Sequence, residues 1–173
     1  MSEVKVLLQK ITGTAPRVGL GAVILNPNGE VLMCRRGAGP DNYLSKLHLF
    51  GGKLELGESM KEGIIREIIE ETDIDASKPN HSITSAGMIE EIEPDCSCID
   101  EETLQPKMYH WISSVWVIRV PDDYFVNVEP HKHAEMGWYD LEKLSLEDLA
   151  PSAWKSLGVA GFHVAKIKQD IVV

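Results

Sequence analysis

Three glutamates, Glu67, Glu70 and Glu71, crowd into the stretch REIIEET of a chain whose formal net charge is already −10. On a helix, residues three and four apart are neighbours, and like charges there repel by roughly 0.2–0.5 kcal/mol per pair. A bound cation would offset that repulsion. Glu67 and Glu71, one turn apart, project side by side with Glu70 beside them, and hard ions such as Mg²⁺ or Mn²⁺ prefer clusters of carboxylate oxygens. Such an ion can polarise a bound oxygen and make hydroxide available near neutral pH. The bland alternative is a solvated acidic helix face, the usual meaning of paired glutamates.

The elements that would hold these residues can be read around them. Met60, Ile64, Ile65, Ile68 and Ile69 recur at helical spacing and predict a helix over 59–72 whose apolar stripe is buried and whose glutamates lie on the other side. Ser59 is its expected N-cap, with Glu62 completing a capping box. Upstream, VGLGAVIL (18–25) and EVLMCRR (30–36) are β-prone runs joined by the turn formers NPNG, a predicted hairpin. GAGPDNYLSK then reads as a loop, and LHLF as a short apolar run ending at Gly51 and Gly52. Downstream, ITSAGMIEEIE and YHWISSVWVIRV predict strands. The acidic, turn-rich PDCSCIDEETLQP between them predicts an exposed loop. YFVNV and GWYDL predict a last pair of short strands, followed by a helical stretch over 146–157 interrupted near Pro151. No repeat, low-complexity tract or linker divides the chain, so the expectation is one mixed α and β domain over 1–173.

Composition narrows the function. With 43% hydrophobic and 25% charged residues over 173 positions, the chain has the make-up of a soluble globular protein with a sizeable core. Its acidity argues against non-specific binding to nucleic-acid backbone or anionic membrane, both of which need clustered Lys and Arg. If it handles phosphates, a cation must help. The N-terminal MSEVKVLLQK lacks a signal-peptide pattern, and no run of eighteen apolar residues marks a membrane span. Three cysteines do not form a disulfide framework, which makes a reducing cytoplasm the expected compartment. Cys96 and Cys98 lack a second Cys/His pair at zinc-finger spacing, and Cys34 reads as a small core residue.

From Gly52 to Ile74 the sequence reads GKLELGESMKEGIIREIIEETDI: Gly52, five residues, Glu58, seven residues, Arg66-Glu67, an apolar Ile68, one residue, Glu70-Glu71, and Ile74. This resembles the Nudix box (52–74), the signature of hydrolases that cleave nucleoside diphosphates linked to another group. Matching its fixed residues by chance has odds on the order of one in ten million per start position. Two positions depart from the family pattern. Asp73 replaces a glycine just past the helix, where Asp is among the few other residues tolerating a left-handed backbone. Phe50 stands where many relatives have proline.

The resemblance implies an α+β Nudix fold, a mixed β-sheet between helices, covering about 18–144. It implies Glu67 and Glu71 as metal ligands, Glu70 as a further ligand or water-orienting group, the Gly51 carbonyl as a backbone ligand, and Mg²⁺ or Mn²⁺ as cofactor. Arg66 and Glu58 would form a salt bridge fixing the loop against the helix, an indirect role of the kind that orients metal ligands. Gly51 and Gly52 would border the substrate.

Of Arg35 and Arg36, where relatives often place a basic residue facing phosphate, alternation allows one at most, with Arg35 the favoured candidate and plain surface solvation the alternative. Within EPHKHAEMGWYDLEKL, Glu129 and Glu135 are each candidates for an acidic residue joining the site from outside the box, although a plain surface carboxylate is commoner. His131 and His133 could bind metal or phosphate, although two histidines in a polar loop are more often solvated, and Trp111, Trp116 and Trp138 read as core residues or base-stacking platforms.

The expected reaction is Mg²⁺-dependent hydrolysis of nucleoside triphosphates to a nucleoside monophosphate and pyrophosphate. Nucleotide sugars or ADP-ribose are the enzymatic alternative, because the box builds only the diphosphate site. A non-catalytic nucleotide-sensing module of the same fold is the alternative of another class, disfavoured because the box glutamates are all present. Capped mRNA ends are disfavoured by the lack of a basic patch. Many members of the family are dimers, and YHWISSVWVIRV offers an interface by analogy.

Overall fold

The computed structural model describes residues 16–37, 43, 45–99, 104 and 106–164, with backbone alone for 93–99 and 106–107. The N-terminal ten residues, most of the GAGPDNYLSK loop and the side chains of Cys96 and Cys98 lie outside what is described. The hairpin forms as expected. Strands β1 (Arg17–Leu25) and β2 (Val31–Arg36) pair antiparallel at Leu25 and Val31. Gly29 takes φ 82°, open to glycine without steric cost, and its N–H donates to the Asn26 carbonyl at 3.0 Å.

The rest of the mixed seven-stranded sheet is built on this pair. Strand β1 runs parallel to β6 (Pro106–Arg119) over its whole length and antiparallel to β4 (Phe50–Lys53). The outer strand β5 (Ser82–Ile99) pairs antiparallel with β6, and β2 pairs with the short β3 (Leu47–His48) and with β7 (His133–Tyr139). Successive side chains on a strand point to opposite faces. Leu20, Ala22, Ile24, Leu32 and Cys34 thus share one core with Ile64 and Ile68 of helix α1 (Met60–Thr72). Val23, Leu25, Val31 and Met33 share the other with Ala153 and Leu157 of α2 (Pro151–Val159). The sheet therefore lies between the two helices as an α+β sandwich, and no described helix is long and apolar enough to cross a membrane.

Helix α1 begins and ends where its sequence directs. Ser59 accepts from the Glu62 N–H while the Glu62 carboxylate accepts from the Ser59 N–H, a reciprocal capping box. Asp73 closes it at φ 59°, a left-handed conformation, and its carboxylate accepts the Tyr124 hydroxyl. The apolar stripe is narrower than the spacing predicts. Ile64 and Ile68 are fully buried, but Met60 and Ile69 are each 38% exposed, and Glu71, expected on the wet side, is buried.

Two other expectations are corrected. PDCSCI is not a loop: β5 continues through it to Ile99, and the irregularity is a register shift between Asp95 and Ile99. YFVNV is not a strand. The last carbonyls of α1 have no partner within the helix, and this segment supplies them, Val126 N–H donating to Thr72 O at 2.9 Å and Val128 N–H to Glu71 O at 3.3 Å. The C-terminal helical stretch is interrupted near Pro151 as expected: 3₁₀ turns at Leu141–Lys143 and Leu146–Asp148 precede α2, which starts at Pro151, whose missing N–H costs nothing in a first helical turn.

Candidate active site

The site grows from the contact between β4 and α1. Gly51 adopts φ 138°, and a Cβ there would collide with the Leu20 carbonyl, so the position requires glycine. Its N–H donates to Glu71 Oε2 at 3.0 Å. At Gly52 a Cβ would collide with the Glu67 carboxylate, which lies directly against the bare backbone. The glycine pair thus gathers two carboxylates, one by a hydrogen bond and one by leaving room.

Arg66 ties the loop to the helix. Its Nε and Nη2 donate to the two Glu58 oxygens at 3.1 and 2.8 Å, the bidentate geometry that suits a guanidinium. Nη1 reaches Glu67 at 2.9 Å and Glu70 at 3.2 Å, and Nη2 also donates to the Lys53 carbonyl. These contacts hold the Glu58 carboxyl below its ordinary pKa and raise that of Arg66. Glu67 behaves oppositely: burial raises its pKa, the Arg66 hydrogen bond opposes the rise, and the charges of Glu71 and Glu70 add to it. Glu70 is the outlying member, more than half exposed and held by Arg66.

The segment laid across the end of α1 brings in the residues that spacing could not place. The carboxylate of Glu129, the ring of His133 and the carboxylate of Glu71 each offer an atom, all within 4.8 Å of one another. Lys132 donates to Glu129 Oε2 at 2.7 Å, which raises the lysine pKa, with Glu71 and Glu67 adding to it electrostatically. His133, for which solvation is the commoner reading beside metal or phosphate binding, is buried, its ring edge-on to Phe50 at 5.6 Å between centroids. Asn127 donates to the His133 carbonyl at 2.7 Å and keeps its own Oδ1 buried without a hydrogen bond. Neither ring nitrogen of His133 is hydrogen-bonded. Leaving such a buried group unmet costs about 1–3 kcal/mol, and the polar atom facing His133 Nε2 is Glu71 Oε1 at 3.4 Å. The donor set, carboxylate oxygens with one imidazole, fits a divalent cation.

Other candidates fall elsewhere. Arg35 points to the α2 face, where it pairs with Glu135 at 3.1 Å and with the Ser45 carbonyl. Glu135 also accepts the Tyr139 hydroxyl at 2.9 Å, so neither Arg35 nor Glu135 joins the carboxylates of α1. A register shift follows Arg35, and the charge of Arg36 acts on Cys34, which lies on the α1 face. His131 is exposed. Trp116 and Trp138 pack on the α1-side core, and Trp111 is stacked by Arg17. Sequence reasoning missed Asn127 and Lys132 altogether. Lys132, three residues after Glu129, was the readable signal.

The match to known proteins covers the same ground. The family model of the NUDIX domain matches residues 15–157. Nudix hydrolase 5 of Arabidopsis thaliana is 42% identical over 60 residues, which are 35% of this chain and 20% of that protein. The crystal structure of a MutT NUDIX hydrolase from Burkholderia pseudomallei superposes with a TM-score of 0.64 at 26% identity, covering 84% of this chain and 98% of that one. The NUDIX domain of Shewanella oneidensis NrtR, solved with ADP ribose, shares the fold at a TM-score of 0.60 and 15% identity, over 93% and 96% of the two chains. With the box glutamates Glu67 and Glu71 gathered on the Gly51-Gly52 backbone and the family model matched over residues 15–157, the chain belongs to the NUDIX domain family.

Proposed function

We propose that this Nudix hydrolase is a Mg²⁺-dependent pyrophosphohydrolase of nucleoside triphosphates, with Mn²⁺ able to replace Mg²⁺. Water attacks a phosphorus of the chain, the bond to the bridging oxygen breaks, and the products are a nucleoside monophosphate and pyrophosphate. The observation that carries the reading is the convergence of the Glu67 and Glu71 carboxylates on the Gly51-Gly52 backbone, with Arg66 locked by Glu58.

Each residue has a task in this reading. Glu67 and Glu71 would hold the metal, with Glu70 as a further ligand or water-orienting group and the Gly51 carbonyl as a backbone ligand, as the family resemblance implies. The bound ion supplies charge neutralisation of the phosphates and acidification of water. Arg66 fixes the direction of Glu67 and Glu58 fixes Arg66, because a ligand's supporting contacts set its orientation. Gly52 keeps the approach to Glu67 free of side chain. Lys132, paired with Glu129, is a cation whose charge is felt by Glu71 and Glu67 and which lies on the phosphate side of this reading.

The test is a mass-spectrometric product screen with Mg²⁺ and a pool of standard and oxidised nucleoside triphosphates, nucleotide sugars, ADP-ribose and a capped dinucleotide. The expected outcome is a monophosphate and pyrophosphate from a triphosphate. Glu71→Gln should lose about 10²-fold or more of the rate, the size of effect seen when one transition-state charge contact is removed, while keeping its circular dichroism spectrum. Cleavage of ADP-ribose or a nucleotide sugar instead would move the substrate class, and binding without cleavage would make the protein a sensor.

A further inference from the structure

We propose that Glu71, Glu129 and His133 form a mixed oxygen and nitrogen metal position that adjoins the carboxylate site of Glu67 and Glu71 and takes a transition ion such as Mn²⁺, Co²⁺ or Zn²⁺ in preference to Mg²⁺. It rests on the pyrophosphohydrolase reading only in sharing Glu71.

Geometry carries the assignment. His133 Nε2 stands 3.4 Å from Glu71 Oε1, beyond the usual 2.7–3.2 Å of an N–H···O hydrogen bond. Ligand bonds of about 2.0–2.2 Å at tetrahedral or octahedral angles put neighbouring donor atoms about 2.8–3.6 Å apart. The pair therefore has the spacing of two ligands on one ion. Glu71 can serve both positions because its other oxygen, Oε2, is the one taken by the Gly51 N–H. Glu129 gives one oxygen to Lys132, and a carboxylate has further lone pairs to offer.

Burial makes the histidine a specific ligand. His133 is 6% exposed and neither of its nitrogens is hydrogen-bonded, while Phe50 packs against the ring and limits its rotation. Its backbone is held by the β7 ladder opposite Arg36 and by Asn127, which fixes the direction in which the ring projects. Imidazole suits Mn²⁺, Co²⁺ and Zn²⁺ far better than Mg²⁺, which favours oxygen and retains its waters.

Pulsed electron paramagnetic resonance on the full chain loaded with Mn²⁺ tests this directly. The expected result is a nitrogen coupling that changes from the ¹⁴N to the ¹⁵N pattern when histidine alone is ¹⁵N-labelled, a readout needing no substitution. His133→Gln should abolish the coupling and weaken Mn²⁺ binding in calorimetry by at least about tenfold, the lower end of what losing even a supporting residue costs. Mg²⁺ binding should change by less. Absence of histidine coupling in the wild type, or its persistence in His133→Gln, would overturn the site. Triphosphate hydrolysis with no histidine coupling would leave the proposed function standing and remove this inference; histidine coupling without turnover of any substrate would do the reverse.

Discussion

Glu71 and Cys34 show how one buried charge conditions its surroundings. The thiol of Cys34 sits in the α1-side core, and its pKa is pushed from 9.0 to about 12, first by burial and then by the charge of Glu71, with Arg36 opposing. Below pH 9.0 both the folded and the unfolded chain keep this proton. Between 9.0 and about 12 only the folded chain does, so unfolding releases a proton and stability falls as pH rises through that window. We therefore expect Cys34 to resist alkylation by iodoacetamide at pH 8.5 in the native protein and to react once the protein is unfolded in urea, as read by peptide mass mapping. Rapid native labelling would contradict the burial. The same scale shows the limit of spacing arguments at Arg35 and Arg36: alternation says that the two point apart, but not which of them faces α1.

At the level of elements, the contact between β4 and α1 separates shape from chemistry. A methyl group at Gly52 would meet only the end of the Glu67 side chain, which can move aside, whereas one at Gly51 would meet backbone and would also have to accept φ 138°. Gly52→Ala should thus keep its melting temperature within a few degrees but lose about 10–100-fold in metal affinity, as displaced ligands do. Gly51→Ala should lose the fold, seen as absence of a cooperative thermal transition. Equal damage from both would show that Gly52 has no special relation to Glu67. The cap at Asp73 can be tested the same way. Asp73→Ala should cost about 1–2 kcal/mol in urea unfolding, the penalty of a left-handed residue with a Cβ and no side-chain bond, and Asp73→Gly should cost less.

For the whole molecule, a cation bound at the proposed site among Glu67, Glu70 and Glu71 of this chain of net charge −10 would make metal binding and folding a linked equilibrium. An ion that binds only the folded state adds about 2.7 kcal/mol at a hundred times its Kd. For a chain of this size that corresponds to roughly 5–10 °C in Tm. Mg²⁺ or Mn²⁺ should therefore raise the melting temperature of the wild type, chelation should reverse the rise, and Glu71→Gln should show a much smaller one in differential scanning fluorimetry. An equal shift in Glu71→Gln would place the bound ion elsewhere.

What the sequence determined by itself is local. The capping box and the helix from Met60 to Thr72 follow from the 3.6-residue period and short-range hydrogen bonding, whose partners lie within a few residues of each other, whereas the pairing of Glu58 with Arg66 comes from the family resemblance. The family resemblance extended this to the sheet between helices. Tertiary structure decided the rest. The segment containing Val126 and Val128 has β-prone residues, but the unpaired carbonyls at the end of α1 offer its N–H groups partners that no local pattern reveals. Once bound there, it carries Glu129 and His133 to Glu71, buries a histidine that its polar neighbours would have placed in water, and leaves Glu135 with Arg35 on the opposite face. These placements depend on contacts between residues distant in the chain, and such contacts are set by the packing of the sheet against α1.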